Sequence, residues 1–438
     1  MYIFASKSMA QTAPIWKRPL AWLPELQREV WILAAGQLLL FIGQGFTLVY
    51  ASIFFVNELG FSPTQVGLAL GSSGVSGTLG RFWSGNAIDS PRLGRRGTLL
   101  LAAVVAALGS FSLAFATTFP LLIAGNLLLG LGISFYWPAT LAVTTDLTPP
   151  QHRKEAMALT RLADNLGLGL GALLAGQYMA LAGDYRLLFI CKGLAYLLFG
   201  VVVLVAITET VQPQAQRRKG LRNWGQALQD RRLITYLVAN LFFTTYAAQL
   251  SSTLPLYLVN FVPSGNTDTG FSEQLISYFF VGHALLKILL QLPITRWLRF
   301  MSHPTLLLAA LGLWSVSFVL IWLIGILSVH ALLVALMAFA CVAVAEILYA
   351  PSASALVGDM APVDRRGIYF SLESQCWAIG FLIGPAVGGW ALDHPSLLGT
   401  NIWLVFVSST AIAGLLLLRL QGQLASSTPA EAVDMSAG

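Results

Sequence analysis

Twelve stretches of this sequence are each apolar over about 20 residues, the length an α-helix needs to cross the hydrocarbon core of a bilayer. They run over 30–56, 63–88, 97–117, 119–146, 153–182, 185–208, 233–262, 272–297, 304–327, 330–358, 366–392 and 399–420. In lipid every backbone N–H and C=O must be satisfied within the segment, so each stretch is read as a helix. Composition agrees. Charged residues make up 10% of the chain and hydrophobic residues 56%, whereas a soluble domain carries about 25% charged residues. A chain this poor in charge cannot cover a water-facing surface. That excludes a disordered chain, a nucleic-acid-binding protein and a secreted disulfide scaffold. The net charge of +6 then belongs to basic loops rather than to a nucleic-acid surface. The sequence predicts an all-α membrane protein with twelve transmembrane helices in two pseudo-symmetric six-helix bundles.

Charge bias sets the orientation. With both termini in the cytoplasm, Lys7, Lys17, Arg18, Arg28, Arg92, Arg95, Arg96, Arg153, Lys154, Arg296, Arg299, Arg365, Arg366, Arg419 and the six basic residues of 209–232 all fall on one side. Only Arg186 falls in an outer loop. The first 28 residues lack the apolar core and small-residue cleavage site of a signal peptide. The expected organisation is a cytoplasmic segment 1–29, a bundle 30–208, a basic linker 209–232, a second bundle 233–420 and a cytoplasmic tail 421–438. Within the linker Leu221, Trp224 and Leu228 share one helical face. That pattern fits either a short helix on the membrane surface or a solvated linker.

The chain repeats itself at an offset of 213, which lays Asp146 on Asp359. Tyr136 then meets Tyr349, Pro138 meets Pro351, Arg153 meets Arg366, and Gly167, Gly171 and Gly176 meet Gly380, Gly384 and Gly389. Parallel repeats of this kind place a substrate site between the halves, near the midplane.

Three stretches carry a family likeness. The first is Gly85-Asn-Ala-Ile-Asp89-Ser-Pro-Arg92-Leu-Gly94-Arg95-Arg96. The second is Gly380-Phe-Leu-Ile-Gly384-Pro385-Ala-Val-Gly388-Gly389. The third is Ala345-Glu346-Ile-Leu-Tyr349-Ala-Pro351, followed by Asp359-Met-Ala-Pro362. The first resembles the loop 2–3 signature of major facilitator superfamily transporters, with Ser90-Pro91 inserted. The second resembles the antiporter signature, displaced from helix 5 to helix 11. The third is similar to the bacterial multidrug (drug:proton antiporter) branch. The resemblance implies that helices 1, 4, 7 and 10 line the cavity and that Gly85, Asp89, Arg92, Gly94, Arg95 and Arg96 form a gating loop. In that loop Asp89 would latch on the start of helix 11 near Arg366. It also implies an arginine in helix 4, where this chain has Asn126.

Ionisable residues inside spans are costly and mark function. Glu346 lies halfway along helix 10 with no cation on its own helix. It is the candidate, with Asp164, for proton or substrate coupling. Gln37, Gln44, Asn126, Tyr136, Asn240, Phe243, Thr244, Tyr246 and Tyr349 are the candidate cavity lining. An apolar, aromatic pocket with one carboxylate suits lipophilic cations. The other reading of Glu346 is a neutral, hydrogen-bonded bundle residue. Asp164 can pair with Arg161 on its own helix or bridge to Lys287 on helix 8, and Arg81 can pair with Glu373. His283 reads as an ordinary membrane histidine. Gly71, Gly74, Gly77 and Gly80 on helix 2, and Gly380, Gly384 and Gly388 on helix 11, are expected at the seam where helices 2 and 11 meet. Gly167, Gly171, Pro385 and Gly389 complete the set of packing residues.

The function expected is a secondary transporter in a bacterial inner membrane, acting as a monomer on a small molecule and exporting lipophilic, often cationic, compounds against protons. The alternative is a facilitator or symporter for a sugar or organic anion. A membrane enzyme would need a nucleophile–base set or metal cluster, and an ATP-driven pump a Walker loop; neither is present, nor is any cofactor motif. A sensor would need an added soluble domain.

Overall fold

The computed structural model describes residues 26–88, 90–149, 152–209, 221–262, 270–327, 330–362 and 366–425. Twelve long helices account for most of them. Helix 1 is Arg28–Leu48, continued by Tyr50–Ile53 and a widened π-helical turn Phe54–Glu58. Helices 2 to 6 are Pro63–Ile88, Gly94–Ala114, Phe119–Asp146, Arg153–Leu181 and Tyr185–Ala206. Helix 7 is Arg231–Leu250, extended by Thr253–Asn260. Helices 8 to 12 are Glu273–Trp297, His303–Ile324, Ala331–Met360, Arg366–Asp393 and Ile402–Ala425. The short helix in the linker is Leu221–Leu228; residues 210–220 and the segments 1–25 and 426–438 lie outside the described residues.

Local chemistry sets the starts. Ser272 and Ser302 accept from the amides of Leu275 and Thr305 at the heads of helices 8 and 9, and Asp184 and Asp230 cap helices 6 and 7. Each cap satisfies an amide that has no partner within its helix. Ten of the twelve are long and apolar enough to cross a membrane by themselves. The exceptions are helix 2, rich in glycine and serine, and helix 5, which carries Arg153, Lys154, Glu155, Arg161 and Asp164. These two pack across to the other half, helix 2 on helix 11 and helix 5 on helix 8.

The pairing is two-fold. In the first half helix 1 packs on 5 and 6, helix 2 on 4, and helix 3 on 4 and 6. In the second half helix 7 packs on 11 and 12, helix 8 on 10, and helix 9 on 10 and 12. Glycines repeat the pattern at atomic detail. A methyl group at Gly167 would meet Phe41 of helix 1, and one at Gly380 would meet Thr244 of helix 7. Gly171 faces Ile42 and Gly45, while Gly384 faces Thr245 and Ala248. So Gly380, Gly384 and Gly388 do not lie at the seam, as expected from sequence, but against helix 7. The helix 11 seam stripe is instead Ala378, Leu382, Pro385 and Gly389, which receive Gly74, Gly71, Gly67 and Pro63 of helix 2. Gly80 faces helix 4, and Gly77 has no neighbour closer than 3.8 Å. Helices 2 and 11 therefore touch at the end away from the termini and diverge beyond Gly74.

Hydrogen bonds tell the same story. Those joining described residues of the two halves all lie at the end opposite the termini. Asn57 and Asn260 exchange amide bonds of 3.1 and 2.8 Å, Tyr50 meets Ser277 at 2.7 Å, Thr64 donates to Asp393 at 2.6 Å, and Gln177 donates to the Tyr278 hydroxyl at 2.7 Å. Tyr185 donates to the Glu273 carboxylate beside them.

Two glycine substitutions separate seam from bundle. Gly67→Ala drives a methyl group into the Pro385 carbonyl across the seam, and Gly171→Ala drives one into the Ile42 carbonyl within the first half. Overpacking of this kind costs about 1–3 kcal/mol. Gly171→Ala is expected to lower the thermal midpoint in detergent. Gly67→Ala is expected to leave it nearly unchanged and to raise labelling of a cysteine at position 57 by an impermeant reagent. Equal melting losses in both would show that the seam is part of one rigid body.

Candidate functional site

At the terminus-bearing face Gly94, Arg95 and Arg96 of loop 2–3 form one polar knot. Gly94 sits at φ +62°, and a side chain there would collide with the Glu209 carboxylate. That carboxylate accepts from the amides of Arg95 (3.0 Å) and Arg96 (3.1 Å), the unsatisfied first amides of helix 3. Arg96 in return donates to the Leu204 carbonyl at the tail of helix 6. The Arg95 guanidinium pairs with Asp146 at the end of helix 4. Its repeat counterpart is His303 against Asp359 at 3.6 Å. Arg92 is exposed. Glu209 was not foreseen; its only sequence signal is an acid just past an apolar run. Asp89 lies outside the described residues and nothing is described of the Arg366 side chain, so the latch contact is not on view.

In the first half, Gln37 of helix 1 is 1% exposed and donates to the Tyr136 hydroxyl of helix 4 at 3.2 Å. Phe41, Tyr136 and Trp137 form a ring cluster with centroids 5.3–6.3 Å apart. Asp164 is buried, with Arg161 Nη1 4.0 Å from its Oδ2. Of the two alternatives for Asp164 the local pairing with Arg161 is the one present, and no bridge to Lys287 forms, because Lys287 pairs with Glu346 instead. Gln44 turns to the Tyr196 hydroxyl of helix 6, away from the centre, and Asn126 donates to Leu122 of its own helix at 2.9 Å. Arg81 does not reach Glu373; its Nη1 is buried with no hydrogen-bond partner, and Glu373 faces the Tyr236 hydroxyl at 3.4 Å. Lys192 on helix 6 is buried, donating to Thr47 at 2.9 Å.

The second half mirrors the amide–tyrosine pair. Tyr349 of helix 10 donates to Asn240 of helix 7 at 2.6 Å, and its ring stacks on Phe243 at 4.7 Å. Gln37 and Asn240 are each the tenth residue of their helices. Thr244 bonds the Cys376 carbonyl of helix 11 at 2.8 Å. Tyr246 is not a lining residue. It bonds Ser409 at 2.6 Å and packs among Trp314, Phe318 and Phe406, on the side of helices 9 and 12.

Glu346 is not alone, as its own helix suggested. Lys287 Nζ lies 2.7 Å from its Oε2 and His283 Nε2 3.3 Å from the same oxygen, both from helix 8. His283 is thus part of the site. The signal for it was its i, i+4 spacing with Lys287, which puts both on one helical face. The side chains are 12–25% exposed. The repeat positions in the first half are Ser73, Gly77 and Ile133, so the fold itself does not require this acid–base cluster.

The sequence profile of the Major Facilitator Superfamily matches residues 33–264 and 258–434. The multidrug resistance protein MdtH of Salmonella typhimurium is 28% identical over 357 residues, 80% of this chain and 83% of its own length. MdtH of Salmonella newport matches equally. Among solved structures, a peptide transporter POT in complex with sulfate has a TM-score of 0.76 at 15% identity, covering 92% of this chain and 96% of that one. The nucleoside transporter NupG has 0.75 at 14%, covering 90% and 99%. At such identities the likeness is one of fold.

Proposed function

The chain belongs to the Major Facilitator Superfamily, and from that premise we propose that it exports lipophilic, often cationic, compounds in exchange for protons. As a transporter of that superfamily it takes a small-molecule substrate and sits in the membrane as a multi-pass protein. Relatives named for multidrug resistance support the substrate class. The basic residues of the terminus-bearing face support a cytoplasmic position for both termini, in a bacterial inner membrane. A cleft closed opposite the termini and parted beyond Gly74 then faces the cytoplasm, ready to load.

The observation that carries the proton reading is the Glu346–Lys287–His283 cluster. With Glu346 charged and Lys287 protonated the pair is neutral. A proton on Glu346 breaks the pair and leaves a positive charge in a low-dielectric place. A cationic substrate in the same cleft opposes that charge, because repulsion between unit charges a few ångströms apart is worth several times more there than in water. One cleft then holds either the substrate or the proton, which is the exchange an antiporter performs.

The test is proton release on addition of ethidium, tetraphenylphosphonium, a neutral dye or an anionic dye to purified protein, followed by flux in proteoliposomes. Cations are expected to release protons from the wild type, and Glu346→Gln is expected to bind cations while releasing none. Proton release unchanged in Glu346→Gln would sink the coupling role. Release by anions alone would sink the substrate class. A cysteine at Leu228 is expected to label only from the cytoplasmic side.

A further inference from the structure

We propose that Trp137 and Asp164 form a subsite for planar organic cations and that the Arg161 guanidinium is its resident, exchangeable occupant. This inference rests on the cation-export reading above and names where the charged end of the substrate docks.

The Arg161 guanidinium lies over the Trp137 ring, 4.9 Å from its centroid. A cation over an indole face is attracted by the ring quadrupole. Phe41 and Tyr136 close the ring cluster around Trp137. Beneath it Asp164 is 5% exposed, and its Oδ1 has no hydrogen-bond partner. Gln37 is 1% exposed with its Oε1 likewise unpartnered. A buried acceptor left unpaired is uncommon and calls for an explanation. Here an indole ring and a buried carboxylate hold one loose cation, and Gln37, bonded to Tyr136, belongs to the ring cluster beside it.

Loosely held is what the geometry says of Arg161. Its side chain is 68% exposed, and its approach to Asp164, at 4.0 Å, is longer than a hydrogen bond. It satisfies neither the free carboxylate oxygen nor the amide oxygen. The guanidinium is itself a planar, delocalised, weakly hydrated cation, so it marks the chemistry the place accepts. The repeat shows that the fold does not need it. At the matching positions of the second half stand Thr244, Tyr349, Ala350, Ser374 and Trp377; rings gather there too, Tyr349 meeting Phe243 and Trp377, but none of the five is an acid or an arginine. Packing is duplicated between the halves; this group of side chains is not.

An incoming aromatic cation would swing Arg161 toward the cleft, stack on Trp137 and present its charge to Asp164. The displaced arginine stays on the exposed side and makes release easy.

Ethidium binding to purified protein, read by fluorescence, tests this. Removing the competitor in Arg161→Ala is expected to tighten ethidium binding on the order of fivefold, the scale of an exposed cation–π and ion-pair contact. Asp164→Asn and Trp137→Leu are expected to weaken it about tenfold, with Trp137→Phe between. In Arg161→Ala, millimolar methylguanidinium is expected to compete with ethidium, whereas in wild type it competes far less. Arg161 is exposed and approaches Asp164 no closer than 4.0 Å, so its loss is expected to cost little stability, which the thermal midpoint checks. Wild type that binds ethidium with Arg161→Ala binding no tighter, and no added competition by methylguanidinium, overturns this inference alone. Wild type that binds none of the cations overturns the substrate reading and this subsite with it.

Discussion

Lys287→Met alone is expected to destabilise the protein strongly, and a second change, Glu346→Gln, is expected to restore it. Lys287 Nζ is the near partner of Glu346, at 2.7 Å between helices 8 and 10. Removing one member of a fully buried pair leaves the other charge uncompensated, at a cost of about 3–5 kcal/mol; that is a ceiling here, because the two side chains are 25% and 18% exposed. The Glu346 carboxylate keeps a second neighbour, His283 Nε2 at 3.3 Å, so Lys287→Met should fall toward the low end of that range. Lys287→Met with His283→Ala should reach the high end. In Lys287→Met with Glu346→Gln no charge remains to be stranded, and melting in detergent should return close to wild type. Proton-coupled transport should not return, because the titratable acid is gone. The measurement is a double-mutant cycle of thermal stability beside proton flux. Additive stability losses in the double variant would mean that the two side chains do not depend on each other.

That cluster also shows where sequence reading stopped. Length and apolarity alone mark ten of the twelve helices as spans, because a span in lipid has few alternatives. The repeat was visible in helices 4–5 and 10–11 only, at one offset. Loop lengths differ between the halves, so the matching offset changes along the chain: Arg28 corresponds to Arg231, Gly67 to Ser277, Arg95 to His303 and Asp146 to Asp359. A search at a single offset misses the amide pair Gln37 and Asn240 and the seam pair Asn57 and Asn260. Side-chain direction was the second barrier. Counting residues places Asp164 and Lys287 at similar depth, but each residue turns about 100° around a helix of 3.6 residues per turn. Depth alone therefore left the Asp164–Lys287 bridge and the local Arg161–Asp164 pair as alternatives, of which the local one is present. The same ambiguity put Gly380 and Gly384 at the seam when they serve helix 7. Residue type told which groups were costly to bury, and helix packing decided which of them met.

A short thiol-reactive bridge between cysteines at positions 57 and 260 is expected to stop transport completely and reversibly. Asn57 rides on the widened turn Phe54–Glu58 of helix 1, and Asn260 ends the extension of helix 7. Each lies the same distance along its helix from Arg28 and Arg231, so the two are repeat counterparts meeting each other. Their two reciprocal amide bonds, 3.1 and 2.8 Å, are exposed. A hydrogen bond contributes about 0.5–1.5 kcal/mol net, and water competes at an exposed site. With Tyr50–Ser277, Thr64–Asp393 and Gln177–Tyr278 the seal is worth a few kcal/mol by the same measure. That is enough to favour one conformation and little enough for a transport cycle to undo. Asn57→Ala should therefore shift the balance toward the opposite opening by about a factor of ten, the effect of roughly 1.4 kcal/mol, without unfolding either half. A covalent link removes the choice. With Asn57→Cys and Asn260→Cys joined by a bifunctional methanethiosulfonate, the protein should still bind ethidium from the terminus-bearing side, should not move it across proteoliposomes, and should recover when the link is reduced. The native Cys191, Cys341 and Cys376 are free thiols and are replaced first. Full transport in the linked protein would mean that this seam stays shut throughout the cycle and that the halves open elsewhere.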